Sequence, residues 1–111
     1  MNSKIKVASL QGMLMQKEGL PLRYAAMIAT TVAHEFDAEL LEGVAAWMDG
    51  TLTPDFSYEG CSIQDVMDDT DANLFEALYM LHIQSNHPEY IEDALWVVQE
   101  GGDLIGIEQP E

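Results

Sequence analysis

Placed at about 100° per residue, as 3.6 residues per turn requires, the apolar residues of this chain gather into arcs in one segment after another. Between residues 3 and 18, Val7, Leu10 and Leu14 fall on one side and predict a first helix, although KIKVA at 4–8 also suits a short strand. Gly19 separates this segment from a second helix. That helix starts at Pro21, a residue suited to the first helical position, and runs to Phe36 with Ala25, Ile28, Val32 and Phe36 inward. Asp37 is a natural N-cap for a third helix over 38–49, where Leu40, Leu41, Val44, Trp47 and Met48 cluster while Glu39 and Glu42 face out. Gly50 ends it.

The pattern then lapses. TLTPDFSYEG at 51–60 holds Pro54 and Gly60 and no helical period, which reads as a loop of roughly a dozen residues, long by the usual standard. Ser62 suits the cap of a short helix over 63–69, and Thr70 or Asp71 the cap of the next, which runs to about Ser85. NHP breaks the chain at 86–88, Pro88 opens a last helix to Glu100, and the glycines at 101–102 stop it. The tail DLIGIEQPE suits an extended segment that could pair with KIKVA. The expected fold is mostly α: a compact single-domain bundle of about five helices over residues 1–111, with short extended segments at the N- and C-termini as an optional addition.

Composition permits a core, since 48% of the 111 residues are hydrophobic, and charge then narrows the partners. Twenty Asp and Glu against four Lys and Arg give a formal net charge of −16. Lys4, Lys6, Lys17 and Arg23 are the four cations, so everything after Arg23 carries nineteen acids and no Lys or Arg. Such a surface repels nucleic acid and anionic membrane and attracts basic protein surfaces, at rates that fall with salt. Direct nucleic-acid or membrane binding is therefore not expected. Cys61 is the only cysteine, which excludes an intrachain disulfide or a Cys-rich zinc site. The apolar stretch VASLQGMLMQ is too short and interrupted for a signal peptide, and YAAMIATTVA is about half of a bilayer span. A cytoplasmic location is the expectation.

Candidate chemistry concentrates in DVMDDTDANLFEALYM at 65–80, where Asp65, Asp68, Asp69, Asp71 and Glu76 are carboxylates. DTDAN places Asp69, Asp71 and Asn73 at the first, third and fifth positions of a calcium-loop pattern. Leu74 then stands where Gly must make the sharp turn, and Met80 where a bidentate Glu must close the shell, so no metal site is expected. Carboxylates near a helix N-terminus interact favourably with its dipole, which explains why Asp68, Asp69 and Asp71 precede a helix. It leaves the missing cations unexplained.

HEFDA at 34–38 begins like a zinc-protease motif, but Ala38 replaces the second histidine. His82, at the centre of the arc of Leu74, Phe75, Leu78 and Leu81, reads as a core histidine bonded to a backbone carbonyl, and His87 as a turn residue. Cys61 paired with His34, His82 or His87 would make a nucleophile and base, but no local signature supports the pairing; a half-buried free thiol is the expectation. With no GxGxxG, no P-loop and no basic phosphate cradle, neither enzyme activity nor a cofactor is expected.

The last helix carries the sharpest clue. In PEYIEDALWVVQE, Glu89, Glu92, Asp93 and Glu100 share an arc of about 100°, opposite Tyr90, Ile91, Ala94, Val97 and Val98, and Trp96 falls among the acids. A tryptophan so placed packs on the long loop or a second copy, anchors a partner, or is exposed by accident. An acidic ring around an indole suits an Arg-rich surface such as a DNA-binding groove. The expected function is non-enzymatic: a small acidic protein that binds and inhibits or regulates a basic nucleic-acid-binding protein, its carboxylates standing in for phosphates. Antirestriction and anti-CRISPR inhibitors of phages and mobile elements act this way, and composition alone links the chain to them. The expected partner-binding residues are Asp65, Asp68, Asp69, Asp71, Glu76, Glu89, Glu92, Asp93, Trp96 and Glu100. The alternative is a helical adaptor or homodimeric module with an acidic solubilising surface, using its seven Met residues and Phe56–Tyr58 as an apolar interface.

Overall fold

The computed structural model describes residues 5–93. Trp96, Glu100, the rest of the last helix and the tail expected to pair with KIKVA lie outside the described residues. The described chain is mostly α, as its periodicity predicts, and divides into two compact units, Met1–Gly50 and Thr51–Glu111.

In the first unit, α1 (Val7–Lys17) packs against α2 (Leu22–Glu35), and α3 (Ala38–Asp49) follows. Leu10 and Leu14 of α1 are fully buried, but Val7 is exposed, contrary to the expected arc. Val7 is the first residue of α1 and has no preceding turn to shield it, and its helical backbone also removes the strand alternative for that end of KIKVA. Gly19 turns the chain in the left-handed region, at φ +69°, so that the Leu14 carbonyl accepts from both Glu18 N and Leu20 N. Pro21 sits just before α2, its carbonyl accepting from Ala25 N at 2.9 Å. Ala25, Ile28, Val32 and Phe36 are all buried, as expected. Asp37 Oδ1 accepts from Leu40 N at 3.0 Å to open α3, and Gly50, at φ +77°, closes it. Trp47 is buried on α3 with Lys17 Nζ 5.4 Å from its ring centroid, an aliphatic stem and cation laid over indole.

The second unit corrects the long-loop expectation. Ser57–Tyr58 (β1) and Cys61–Ser62 (β2) form a two-stranded antiparallel hairpin, Ser57 opposite Ser62 and Tyr58 opposite Cys61. Its turn residues, Glu59 and Gly60, both have positive φ, 53° and 83°, the geometry that matches the twist of paired strands. Tyr58 is buried, which removes it from the apolar interface expected of Phe56–Tyr58.

Helix α4 (Ile63–Asp69) follows the hairpin directly and packs on α5 (Leu74–Asn86). Ser62 and Asp65 cap α4 reciprocally, with Asp65 N donating to Ser62 Oγ at 3.0 Å and Ser62 N to Asp65 Oδ2 at 3.3 Å. The cap of α5 is neither Thr70 nor Asp71 but Asn73, paired in the same way with Glu76. Thr70 instead terminates α4: its hydroxyl donates to the Val66 carbonyl at 2.8 Å and accepts from Ala72 N at 3.1 Å. From Phe75 to Ile83, α5 is buried around most of its circumference apart from Glu76, as a helix apolar on all sides must be. His87 breaks the chain, Pro88–Tyr90 forms one 3₁₀ turn, and residues 91–93 are helical again.

Candidate functional site

The carboxylates of the second unit fall into two groups. Asp65 and Glu76 sit in first turns, where each closes a capping box. Their positions are explained by folding, because a helix N-terminus has unsatisfied N–H groups and a positive end. Asp68 and Asp69 correct the earlier explanation. Thr70 leaves α4 with an extended backbone and α5 does not begin until Leu74, so these two acids occupy the last turn of α4, with no basic residue beside them. There the carbonyl end of the helix opposes negative charge. Asp68 accepts from Gln64 Nε2 at 2.8 Å, one turn back, while Asp69 and Asp71 are exposed.

The N-terminus of α4 is fully engaged. Ile63 N donates to the Phe56 carbonyl at 2.8 Å, Gln64 N to the Pro54 carbonyl at 3.1 Å, and Asp65 N to Ser62 Oγ. The hairpin and its preceding turn therefore serve as the cap, and this end offers no anion-binding amides. The calcium-loop pattern fails for a further physical reason: Asn73 Oδ1, which would be the third ligand, accepts from Glu76 N at 2.9 Å.

Beyond the break, Glu89, Glu92 and Asp93 are exposed, with Glu89 Oε2 3.9 Å from His87 Nδ1. They belong to the 3₁₀ turn and the start of the following helical stretch, so the expected single helix from Pro88 begins with a tighter turn. Trp96 and Glu100 lie outside the described residues. His82 is buried as a core histidine. Asn86 Nδ2 donates to the His82 carbonyl at 3.1 Å and lies 3.2 Å from the ring's Nδ1. His82 and His87 continue a run of rings from Phe75 through Tyr79 to Tyr90, with successive centroids 5.5–6.2 Å apart. His34 and Glu35 end α2, and Asp37 already caps the next helix, so the HEFDA segment is split between two elements.

A cavity of about 130 Å³ opens beside Cys61, where α4 meets α5. Asp65, Asp69 and Gln84 line it with polar groups, and Val66, Met80 and Ile91 with apolar ones. Cys61 is half-buried, as expected for a free thiol, with Sγ 3.8 Å from the Ser62 carbonyl. None of the described lining residues of the cavity is a histidine, so no imidazole stands beside the thiol there. The structure thus brings Asp65 and Asp69 together with Cys61, Met80 and Gln84, a grouping absent from the sequence reading. The i, i+4 spacing of Asp65 with Asp69 and of Met80 with Gln84 was the available signal, but it does not say which two faces meet.

Comparison with protein-family models, curated proteins and solved structures finds no match for this chain.

Proposed function

We propose that this protein binds the basic, nucleic-acid-binding surface of another protein and inhibits or regulates it, its carboxylates occupying positions otherwise taken by phosphates. One observation carries the reading: Thr51–Glu111 holds fourteen Asp and Glu and no Lys or Arg, whereas Met1–Gly50 holds six acids and all four cations. The described acids of the second unit are exposed apart from Glu76. Asp68 and Asp69 add support, because they stand where the helix would favour cations. Acids one turn apart on a helix are about 5–6 Å from each other, comparable to a phosphate step or two.

The test is capture of partners from a lysate at low salt, followed by elution in salt steps and competition with duplex DNA and with RNA. A mimic loses at least about tenfold in affinity between 50 and 200 mM salt and is displaced by nucleic acid. Binding that is indifferent to salt and to nucleic acid would end the proposal.

A second reading, an adaptor with an apolar interface, draws on a different observation. Leu22, Met15 and Val7 of the first unit are 57%, 40% and 37% exposed. It would predict that Leu22→Asp abolishes partner binding at any salt concentration.

A further inference from the structure

We infer that the cavity between α4 and α5 receives a single lysine side chain from the protein partner, an inference that rests on the basic-surface reading above and names one of its contacts. Size comes first. At about 130 Å³ the cavity has the volume of roughly four waters in the liquid and lies below the roughly 300–1,000 Å³ of small-molecule sites. It suits one side chain rather than a substrate.

Its walls then specify which side chain. Val66, Met80 and Ile91 among the lining residues suit an aliphatic stem, and Asp65, Asp69 and Gln84, also in the lining, carry acceptor groups suited to a cationic head. An ammonium has three donors, matching three acceptor-bearing side chains, whereas a guanidinium needs a wider planar slot. Asp65 has one oxygen already engaged, Oδ2 accepting from Ser62 N, and that bond also holds its carboxylate in place before any ligand arrives. Thr70 lines the same cavity with its hydroxyl already donating to Val66 and accepting from Ala72, so it adds no demand of its own.

Asp65 and Asp69 are one turn apart, where like charges repel, and Asp69 sits in the carbonyl-end turn of α4. A cation between them relieves both repulsions. Within Thr51–Glu111 no Lys or Arg exists to supply it, and Lys17 and Arg23 of the first unit already lie over Trp47 and Tyr24, so a partner is the proposed source.

Cys61 lines the cavity and reports on it. The experiment measures the rate at which the neutral reagent N-ethylmaleimide modifies Cys61 in the full chain, at constant ionic strength, with an end-capped tetralysine peptide added. The expected result is a several-fold slowing by tetralysine, little slowing by the same peptide with acetylated lysines, and weaker slowing by tetra-arginine. Asp69→Asn should abolish most of the protection, Gln84→Glu should strengthen it, and Asp55→Asn, outside the cavity lining, should leave it unchanged. Because Gln84 is exposed, its variant tests the inference even if Asp69→Asn perturbs α4. No protection by tetralysine, equal protection by tetra-arginine, or equal loss in Asp55→Asn would overturn it. Absent protection together with nucleic-acid-competed, salt-sensitive partner binding would remove the cavity contact alone. Protection without that competition would remove the mimic reading and keep the cavity.

Discussion

The two units use charge in opposite ways. In Met1–Gly50 two of the four cations have local work: Lys17 lies over the Trp47 ring, and the Arg23 guanidinium sits 4.9 Å from the Tyr24 ring centroid and donates to its hydroxyl at 3.2 Å. That bond raises the Arg23 pKa above its ordinary value. Helices α1 and α2 open without any side-chain cap. In Thr51–Glu111, α4 and α5 open on reciprocal caps that include a carboxylate, and no Lys or Arg answers any acid from within the unit. Acidity in the second unit is thus partly structural, at Asp65 and Glu76, and partly in excess of what folding asks for, at Asp68 and Asp69. A count of charges cannot separate these groups; the position of each acid along its helix can.

The largest effects belong to the cores. Phe75→Ala should cost about 3–5 kcal/mol and Leu14→Ala about 2–5 kcal/mol, each a large part of a typical domain stability of about 5–15 kcal/mol. Both side chains are 0–1% exposed, and urea denaturation measures the loss. A cost under about 1 kcal/mol at Phe75 would mean that α5 is not the core of the second unit.

Next come the caps, which sharpen the contrast between acids that fold the chain and acids that do not. Asn73→Ala should cost about 1 kcal/mol, and Asp71→Ala should cost almost nothing, because Asn73 rather than Asp71 accepts from the first turn of α5. Equal losses at the two positions would contradict the assignment. The hairpin should respond in the opposite direction. Glu59 holds φ at 53°, which is unfavourable for a residue with a long side chain, so Glu59→Asn should raise stability by about 0.5–1 kcal/mol. A fall in the thermal midpoint would show that the Glu59 carboxylate makes up for its backbone.

What the sequence disclosed was local. Asp37 and Gly50 bound α3 at the predicted residues because a cap and a left-handed stop depend on one side chain and one φ. The α5 cap was legible too, since Asn73 and Glu76 form an N-x-x-E capping box, but Thr70 and Asp71 come first in the chain and compete as caps. The hairpin was hidden because Glu-Gly is a weak turn signal beside Asn-Gly, and two-residue strands have no period to detect. The cavity could not be read at all. It depends on which turn of α4 faces which turn of α5, a tertiary fact that helical spacing constrains but does not determine.

The smallest predicted effect on stability bears most directly on function. Asp68 and Asp69 lie in the carbonyl-end turn of a seven-residue helix, where each negative charge meets the negative end of the helix dipole. Asp68→Asn and Asp69→Asn should therefore raise stability by a few tenths of a kcal/mol each, at the low end of exposed dipole effects, and the gain should shrink as salt is added. Glu76→Gln offers the control. Its carboxylate serves the N-terminal end of α5, so neutralisation there should lower stability slightly. If the partner surface is basic, all three substitutions weaken binding, and only the α4 pair does so while making the protein more stable. That opposite movement of stability and affinity distinguishes charges kept for a partner from charges kept for the fold; parallel losses in all three variants would place Asp68 and Asp69 among the structural acids.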